Sequence, residues 1–578
     1  MEPALHTINV FVIIEKKQRG GGFRMIIPVG ISDFRDIREN GYYYVDKSKM
    51  IKELLEDVGT KVTLITRPRR FGKTLNMSML AEFFDVSRDS RPLFEELFIS
   101  GEKTLCSEWM NQYPTVFITF KSVTGLNFEL AYGELIRNIS ELYKRYLFVL
   151  DSEKINKYDK EIFDRTARGE MSVTDVKGSL SKLTQILETY YGKPVILLID
   201  EYDVPVAKAN DNGYYEEMMD ISRSLLEQAL KDNRHLKLAV MTGCLRIVKE
   251  SIFTGLNNFT TYTIADEPYS DCFGFTQREV DELLERTALT CQKDTIRKWY
   301  DGYLFGNSQI YCPWDVTNYV RDLQKDRKAA PKNYWENSSD NSIIESFLKR
   351  TDFAVNKKFE ILLDGGEIRE TLEENITYHV LTSSEKNLWS LLYMTGYLTS
   401  AERLSGENVP LRIPNLEILS TFRKSVQNWF HDVLKDWNRA ALFEAVWSHN
   451  AEKATEEMSR LLLRTISYHD YKEDFYHAFL AGIFSGAGYD VESNREHGEG
   501  RSDVIVKDYL NDRVVIFEVK HSEKPGDLEE DCMRALTQIK EKGYAEEFKE
   551  DYTEVLCYGV ACCKKRCLMK SSFEKITK

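Results

Sequence analysis

Gly72, Lys73 and Thr74 have the residue types and the order of a phosphate-binding loop, and they stand between a strand pattern and a helical pattern. In such a loop, backbone N–H groups and the helix N-terminus face the phosphates, the lysine contacts the β- and γ-phosphates, and the hydroxyl binds Mg²⁺. Lys73 and Thr74 are the candidates for these two roles, with Arg70 and Phe71 in the same nucleotide-binding loop. ATP and Mg²⁺ are therefore the expected ligands.

The loop motif alone is short enough to occur by chance. Arg67 occupies the position, four residues before Phe71, at which a glycine is expected. An ordinary strand-to-helix loop with surface arginines is therefore the alternative interpretation, and a second part of the site is needed to decide between the two.

Further candidates follow two later strand patterns. Asp200 and Glu201 end the apolar run 195–199, where Asp200 is expected to bind Mg²⁺ and Glu201 to act as the general base for the attacking water. Thr242, at the end of the next strand pattern, is expected to contact the γ-phosphate or else to cap the strand. Arg246 is a candidate for stabilising transition-state charge, in its own subunit or across an interface, with a helix-surface salt bridge as the alternative.

A third set of candidates lies near the C-terminus. Strand periodicity places Glu518 and Lys520 on one face of a strand, and Asp503 on the paired strand can meet them. Two carboxylates at such a point bind Mg²⁺, which activates water, and a lysine orients or deprotonates that water. Glu473, on the preceding helix pattern, is the candidate for a third carboxylate, and Gln538, on the following helix, for an auxiliary position. The alternative is a set of solvated charges at strand ends.

The elements that position these residues follow a clear order along the chain. Strand and helix patterns alternate from about residue 50 to 240, which predicts an α/β fold with a doubly wound parallel sheet. Mainly helical patterns follow, and strands return after about residue 470. The predicted organisation is a flexible extension at 1–25, a P-loop domain at 26–256, a helical or winged-helix lid at 257–345, a helical connector at 346–465 and a nuclease-like α/β domain at 466–578.

Composition narrows the class of protein. The 578 residues are 42% hydrophobic and 29% charged, which excludes wholesale disorder, and the net charge of −14 argues against a surface generally adapted to nucleic acid. No apolar run is long enough to span a bilayer. The density of the ten cysteines is ordinary, so we expect reduced thiols and a cytoplasmic protein. The spacing of the four cysteines after residue 550 lacks a CxxC pair and does not favour zinc.

Several dispersed motifs resemble those of the bacterial AAA-ATPase-like proteins, whose members commonly end in a PD-(D/E)XK nuclease domain of restriction-endonuclease-like fold. The resemblance covers the chain from about residue 26 to its end, and it makes Arg67 typical of the loop. Ser502 replaces the proline of the nuclease signature, which is not a ligand. The motifs lie at 28–34, 41–48, 67–74, 200–203, 242–243, 250–258, 299–303 and 313–314.

Two functions from different classes fit these observations. The first is an ATP-hydrolysing protein coupled to a Mg²⁺-dependent nuclease that acts on nucleic acid, DNA or RNA. The second is a regulatory or signalling ATPase whose C-terminal domain binds nucleic acid without cleaving it. A non-enzymatic interaction protein would require both sets of motifs to be accidental. No membrane partner is expected, and the sequence leaves a monomer and a homo-oligomer open.

Overall fold

The apolar runs of the first 262 residues form a five-stranded, fully parallel sheet. Its strand order is β2-β3-β4-β1-β5, and β1 and β3 are buried along their whole length. A strand covered on both faces has no solvent side, which is why these segments are continuously apolar. The strands are β1 (Val62–Thr66), β2 (Thr115–Thr119), β3 (Val195–Asp200), β4 (Leu236–Gly243) and β5 (Phe259–Tyr262).

This structure is a computed structural model. The residues that it describes are 25–57, 59–245, 259–335, 355–373, 385–403, 408–435, 440–465, 473–485, 487–497, 500–564 and 566–575.

Helices surround the parallel sheet. The helix after β1 packs against β2, β3 and β4, and the long helices α6, α8 and α10 contribute to the main core. The ten helices described before residue 245 are α1 (Phe34–Glu39), α2 (Lys49–Glu56), α3 (Lys73–Phe84), α4 (Arg91–Phe94), α5 (Lys103–Trp109), α6 (Phe128–Lys144), α7 (Lys157–Ala167), α8 (Val173–Tyr191), α9 (Val204–Asn212) and α10 (Tyr215–Leu230). The doubly wound parallel sheet predicted from the alternation of patterns is confirmed.

A small antiparallel sheet and three helices follow. The hairpin of β7 and β8 pairs with β6 in the order β6-β8-β7, and two helices separate β6 from the hairpin. The second strand of the hairpin, β8, pairs with β6. Together with the two helices, these strands form a winged-helix-like arrangement, as predicted. The elements are β6 (Phe275–Thr276), α11 (Gln277–Arg286), α12 (Lys293–Tyr300), β7 (Tyr303–Phe305), β8 (Ser308–Tyr311) and α13 (Pro313–Lys325).

The predicted boundary between the P-loop domain and the lid at 256/257 is wrong. Strand β5 starts after this boundary, yet it pairs in parallel with β1, with Val62 beside Phe259. The segment 259–262 has only four residues, too few for its pattern to distinguish a strand from a loop. The parallel sheet therefore extends to at least residue 262.

The predicted helical connector at 346–465 also contains a sheet. Strands β9 (Ile368–Thr371), β10 (Thr399–Ser400) and β11 (Asn408–Arg412) form three strands in the order β10-β11-β9. These strands are too short to produce a clear alternating pattern. The helices of this part are α14 (Val355–Leu363), α15 (Glu385–Met394), α16 (Leu416–Lys435), α17 (Ala440–Trp447) and α18 (Ala451–Thr465).

The C-terminal part contains a mixed five-stranded sheet in the order β12-β13-β14-β15-β16. Only the β14–β15 pair is parallel, and helix α20 makes the crossover between these two strands. The elements are α19 (Glu473–Ser485), β12 (Asp490–His497), β13 (Gly500–Asp508), β14 (Arg513–His521), α20 (Leu528–Glu541), β15 (Glu554–Cys563) and β16 (Arg566–Lys575).

The predicted start of this domain at residue 466 lies too late. Leu442 and Val446 of α17 and Leu461 of α18 share one core with Phe479 of α19 and Phe517 of β14. One face of the sheet thus needs helices from both sides of the predicted boundary. By itself, a pattern of amphipathic helices does not indicate which sheet those helices cover.

The chain divides into two compact units. One comprises 1–338 and 369–417, and the other comprises 339–368 and 418–578. Among the described residues, no helix combines the length and the apolar character needed to cross a membrane. All ten cysteines are free thiols.

Candidate nucleotide and metal sites

The loop between β1 and α3 has the backbone conformation of a tight phosphate-binding turn. Gly72 has a φ of 88° and Arg70 a φ of 72°, both in the left-handed region. Lys73 is the first residue of α3, and its ammonium donates hydrogen bonds of 3.0 Å to the carbonyl oxygens of Arg67 and Pro68. The lysine therefore lies across the loop that the sequence assigned to phosphate binding.

Lys73 is buried among acidic groups. Burial alone would lower the pKa of its ammonium, but the nearby Cys244 thiol and the carboxylates of Glu201, Asp203 and Asp200 raise this pKa above its ordinary value. Lys73 therefore stays charged at neutral pH. A buried, permanently charged ammonium at a helix N-terminus is suited to bind a polyphosphate.

Three hydroxyl groups converge on the fully buried carboxylate of Asp200. Thr74 Oγ1 donates to its Oδ2 at 2.8 Å, Thr119 Oγ1 contacts the same oxygen at 3.3 Å, and Thr242 Oγ1 donates to its Oδ1 at 2.6 Å. The phosphate loop and the ends of three neighbouring strands thus meet at one carboxylate. Thr74 and Asp200 together offer the hard oxygen ligands that Mg²⁺ prefers, so the residues present fit that ion.

Glu201 follows Asp200 in a strained conformation, with a φ of 53°. Burial raises the pKa of its carboxyl group; Lys73 lowers this pKa, and repulsion from Asp200 and Asp203 adds to the increase. A non-glycine residue in the left-handed region costs about 1–3 kcal/mol and is often retained at functional sites. The side chain of Glu201 lines the cavity beside the phosphate loop.

Asp203 positions the backbone that follows β4, a role that its place in the sequence only suggested. Its Oδ2 accepts hydrogen bonds from the backbone N–H groups of Cys244 and Leu245, at 2.9 and 3.1 Å. Asp203 therefore fixes the chain just after β4. Thr242, expected at the γ-phosphate, is buried and uses its hydroxyl to hold Asp200. Arg246, the candidate for transition-state charge, lies outside the described residues.

A cavity of about 600 Å³ adjoins the phosphate loop, a volume suited to a small-molecule ligand. Gly72, Lys73 and Thr74 line one side. The segment before α1, the segment between α1 and α2, and the start of α13 also line the cavity, and Tyr43 and Trp314 are among these residues. The cavity thus has both cationic and aromatic lining residues, as a nucleotide requires.

Two of the residues predicted to bind the nucleotide have other contacts. The ring of Phe71 is fully buried against Tyr303, Phe305 and Trp335, so its side chain anchors the loop. Phe71 also lines the cavity, and its part in nucleotide binding stays a prediction. The Arg70 guanidinium lies 3.8 Å from the centre of the Trp314 ring, on the cavity wall.

Arg67 is a buried structural residue. Its guanidinium donates to the carbonyl oxygens of Thr66, Tyr262 and Tyr269 at 2.8, 3.2 and 3.1 Å, and it lies over the ring of Phe273. Burial lowers its pKa to about 10, so it remains charged at neutral pH. Arg67 thus joins the end of β1 to β5 and the segment after it, which a glycine at this position could not do.

The C-terminal candidates also converge. The pairing of β13 with β14 begins at Val504, which lies beside Phe517, and Asp503 is the residue just before it. The Oδ2 of Asp503 accepts a hydrogen bond of 2.8 Å from the Val519 N–H. Glu518 and Lys520 lie on the same face of β14, with Nζ of the lysine 3.0 Å from Oε1 of the glutamate.

Glu518 has the properties expected of a cation ligand. It is 1% exposed, and its Oε2 is buried with no hydrogen-bond partner among the described residues. Burial and then repulsion from Asp503 raise its pKa to about 7, against the opposing effects of Lys520 and His477. A buried carboxylate with a free oxygen beside a second carboxylate fits a divalent cation, because the cation would compensate both the burial and the repulsion.

His477 is a residue of this site that sequence reasoning missed. It is buried on α19, and its Nε2 lies 3.0 Å from Asp503 Oδ2. The sequence offered one signal for His477, which is its position one helical turn after Glu473 on the same helix. Glu473 is the first residue of α19, but its side chain lies outside the described part. Gln538 is half-exposed on α20, and no contact among the described residues places it at the carboxylates.

Two family models match the chain. Residues 28–253 match the family described as "Predicted AAA-ATPase", and residues 471–572 match the PD-(D/E)XK nuclease superfamily. The chain joins an AAA-ATPase-like region to a PD-(D/E)XK nuclease superfamily region. The architecture expected from the dispersed motifs is therefore confirmed. Regions of these two kinds generally use a nucleotide and a divalent metal ion.

A relative is similar to this chain over most of the length of both proteins. A protein of Azotobacter chroococcum mcd 1, described as an uncharacterized protein in the vnfD 5′ region, is 25% identical over 556 residues. The similarity covers 93% of this chain and 96% of the relative. It therefore runs through the AAA-ATPase-like region, the segment between the regions and the nuclease-superfamily region.

Proposed function

We propose that this protein binds and hydrolyses ATP in the AAA-ATPase-like region and cleaves nucleic acid in the PD-(D/E)XK region. The observation that supports the first activity most directly is the convergence of Lys73, Thr74, Asp200 and Glu201 beside a cavity of nucleotide size. The phosphate-binding loop and strand β3, which ends at Asp200, are far apart in sequence. An accidental resemblance to a nucleotide-binding motif would not bring them together.

In the ATPase reaction, each residue has one task. Lys73 binds the β- and γ-phosphates, while Thr74 and Asp200 would hold Mg²⁺. When bound, that ion neutralises charge on the phosphate oxygens. Glu201 accepts a proton from the attacking water. The aromatic residues that line the cavity, Tyr43 and Trp314 among them, contact the base of the nucleotide.

The nuclease proposal rests on the orphaned oxygen of Glu518 beside Asp503. These two carboxylates would hold Mg²⁺, which activates water and stabilises charge on the scissile phosphate when it is bound. Lys520 orients the water or accepts its proton, and His477 holds Asp503 from the helix side. Nucleic acid, as DNA or RNA, is the proposed substrate.

Coupling between the two activities is part of the proposal. The full-length similarity to the Azotobacter protein supports it, because both regions are retained in one chain of similar organisation. The test is to measure ATP hydrolysis and the cleavage of labelled nucleic acids by the purified full-length protein. ATP hydrolysis with nucleic-acid binding and no cleavage would instead support a regulatory ATPase.

A further inference from the structure

The loop after β2 contains a lysine that the proposed reaction does not yet use. Lys121 is exposed and lines the same cavity as Lys73 and Glu201. In the part of the chain that the structure describes, Lys121 makes no ion pair, and its backbone N–H donates a hydrogen bond to Thr119 Oγ1 at 3.4 Å. By contrast, Lys208, which also lines the cavity, is paired with Asp211 at 3.0 Å.

The register of the sheet places Lys121 beside the catalytic acids. In the parallel pair of β2 and β3, Thr119 lies beside Asp200, and the Phe120 N–H donates to the Asp200 carbonyl oxygen at 3.0 Å. The pairing thus continues one residue past the end of β2. Lys121 therefore leaves the sheet at the edge where Glu201 leaves it on the neighbouring strand.

The loop around Lys121 is tightly constrained. Phe120 and Val123 are buried on either side of the exposed lysine, and the Val123 N–H donates to the Phe120 carbonyl at 3.0 Å. A Cβ on Gly125 would lie 2.5 Å from the backbone nitrogen of Ala131, so the chain turns sharply there into α6. These contacts hold the start of the Lys121 side chain in a fixed position at the cavity.

We propose that Lys121 is a catalytic residue that stabilises the charge of the transferring γ-phosphoryl group in the transition state. This inference rests on the proposed ATPase function. In that reaction, the water oxygen bonds to the γ-phosphorus as the bond from phosphorus to the β,γ-bridging oxygen breaks. The water proton passes to Glu201, and the electron pair of the broken bond leaves with ADP.

The position of Lys121 determines the step at which it acts. Negative charge spreads over the equatorial oxygens of the transferring group as the bond to ADP breaks. Lys73 belongs to the phosphate loop, whereas Lys121 follows the strand next to that of Glu201, the residue proposed to accept the water proton. A cation there stabilises the transition state more than bound ATP, so it changes kcat more than binding.

The test compares Lys121→Ala with Lys144→Ala, an exposed lysine on α6 whose partner is Glu141 at 2.8 Å. Lys121→Ala should lower kcat about 100-fold and leave the Kd for ATP within about threefold. It should also weaken the binding of ADP with aluminium fluoride, a mimic of the transferring phosphoryl group, by a similar factor. Lys121→Arg should recover part of kcat, and Lys144→Ala should match the wild type.

Each other result has a defined meaning. A wild-type kcat in Lys121→Ala overturns this inference while leaving the ATPase function in place. A higher KM with unchanged kcat also overturns it, because the lysine would then contribute only to ground-state binding. Absence of hydrolysis by the wild-type protein would overturn the proposed function together with this inference.

Discussion

The hydroxyl of Thr74 donates a 2.8 Å hydrogen bond to the carboxylate of Asp200, a residue 126 positions later in the chain. This bond joins the first residues of α3 to the end of β3. It requires β1 and β3 to end at the same edge of the sheet, which the strand order provides with β4 between them. The residues proposed for phosphate binding and water activation thereby lie at one edge of the sheet.

Replacement of Lys73 by alanine should weaken ATP binding by about 10- to 100-fold. The ammonium supplies charge-assisted hydrogen bonds, each of which contributes about 1.5–3 kcal/mol. Titration with a fluorescent ATP analogue measures the change, with Lys144→Ala as the control for loss of a surface lysine. Wild-type affinity in Lys73→Ala would remove the loop from the nucleotide site.

Glu201→Gln should separate binding from hydrolysis. The amide retains the size of the side chain but cannot accept the water proton, so kcat should fall about 10²- to 10⁴-fold while the Kd for ATP stays near that of the wild type. Single-turnover hydrolysis with radiolabelled ATP measures the chemical step. Hydrolysis at the wild-type rate would exclude Glu201 as the general base.

The nuclease site should bind its metal ion in a pH-dependent way. Since the pKa of Glu518 is raised to about 7, a cation must displace a proton below that pH. The apparent affinity for Mn²⁺ should rise about tenfold from pH 5.5 to 6.5 and level off above pH 8. Calorimetry on the nucleotide-free protein measures it, and Glu518→Gln should remove the pH-dependent component. A flat profile in the wild type would contradict the account of this carboxylate.

The same pKa has a consequence for stability, with a defined sign. In the metal-free protein the folded state binds the Glu518 proton more tightly than the unfolded state, whose pKa is near 4.5. The contribution of this residue to the free energy of unfolding therefore decreases as the pH rises from about 4.5 to 7. Glu518→Gln should lack this decrease, so its thermal midpoint should exceed that of the wild type at pH 8 and approach it at pH 5.

Arg67→Ala should destabilise the AAA-ATPase-like region by about 2–5 kcal/mol. The substitution leaves the buried carbonyls of Thr66, Tyr262 and Tyr269 without the donor that they share. Urea unfolding followed by tryptophan fluorescence measures the change. Arg91→Ala is the control, since that side chain is 76% exposed and pairs with Asp89 on the surface. Equal stability of the two variants would show that the buried guanidinium is dispensable.

The sequence predicted the parts of the sites that depend on local periodicity. Strand alternation alone places Glu518 and Lys520 on one face of a strand. The order of the phosphate-binding loop and the strand that ends at Asp200 is enough to predict that Lys73 and Asp200 belong to one site. The side-chain contacts of Phe71 and Arg67 depend instead on aromatic rings and carbonyls some 200 residues away. No pattern within the loop could distinguish a ligand from an anchor.

The domain boundaries were less predictable for a related reason. Strand β5 is four residues long, and among the described strands it pairs with β1 alone, so its identity as a strand depends on a partner about 200 residues earlier. Helices α17 and α18 have ordinary amphipathic patterns, and their assignment to the C-terminal core depends on which sheet they cover. His477 was missed because its contact with Asp503 joins a helix to a strand.

Asp503→Asn should abolish nuclease activity and leave ATP hydrolysis unchanged. The amide keeps an acceptor for the Val519 N–H but loses the charge that would bind the cation. Asp512→Asn is the matched control, because Asp512 is an exposed aspartate on the turn of the same hairpin. Loss of ATP hydrolysis in Asp503→Asn would show that the variant disturbs more than the nuclease site.

The most direct measurement is the cleavage of a panel of labelled single- and double-stranded DNA and RNA by the purified full-length protein with Mg²⁺, with and without ATP. The account predicts cleavage of at least one substrate that changes with ATP in the wild type. It also predicts that Asp503→Asn loses this cleavage and that Lys73→Ala loses the response to ATP. Intact ATP hydrolysis with no cleavage of any substrate by the wild type would contradict the nuclease assignment.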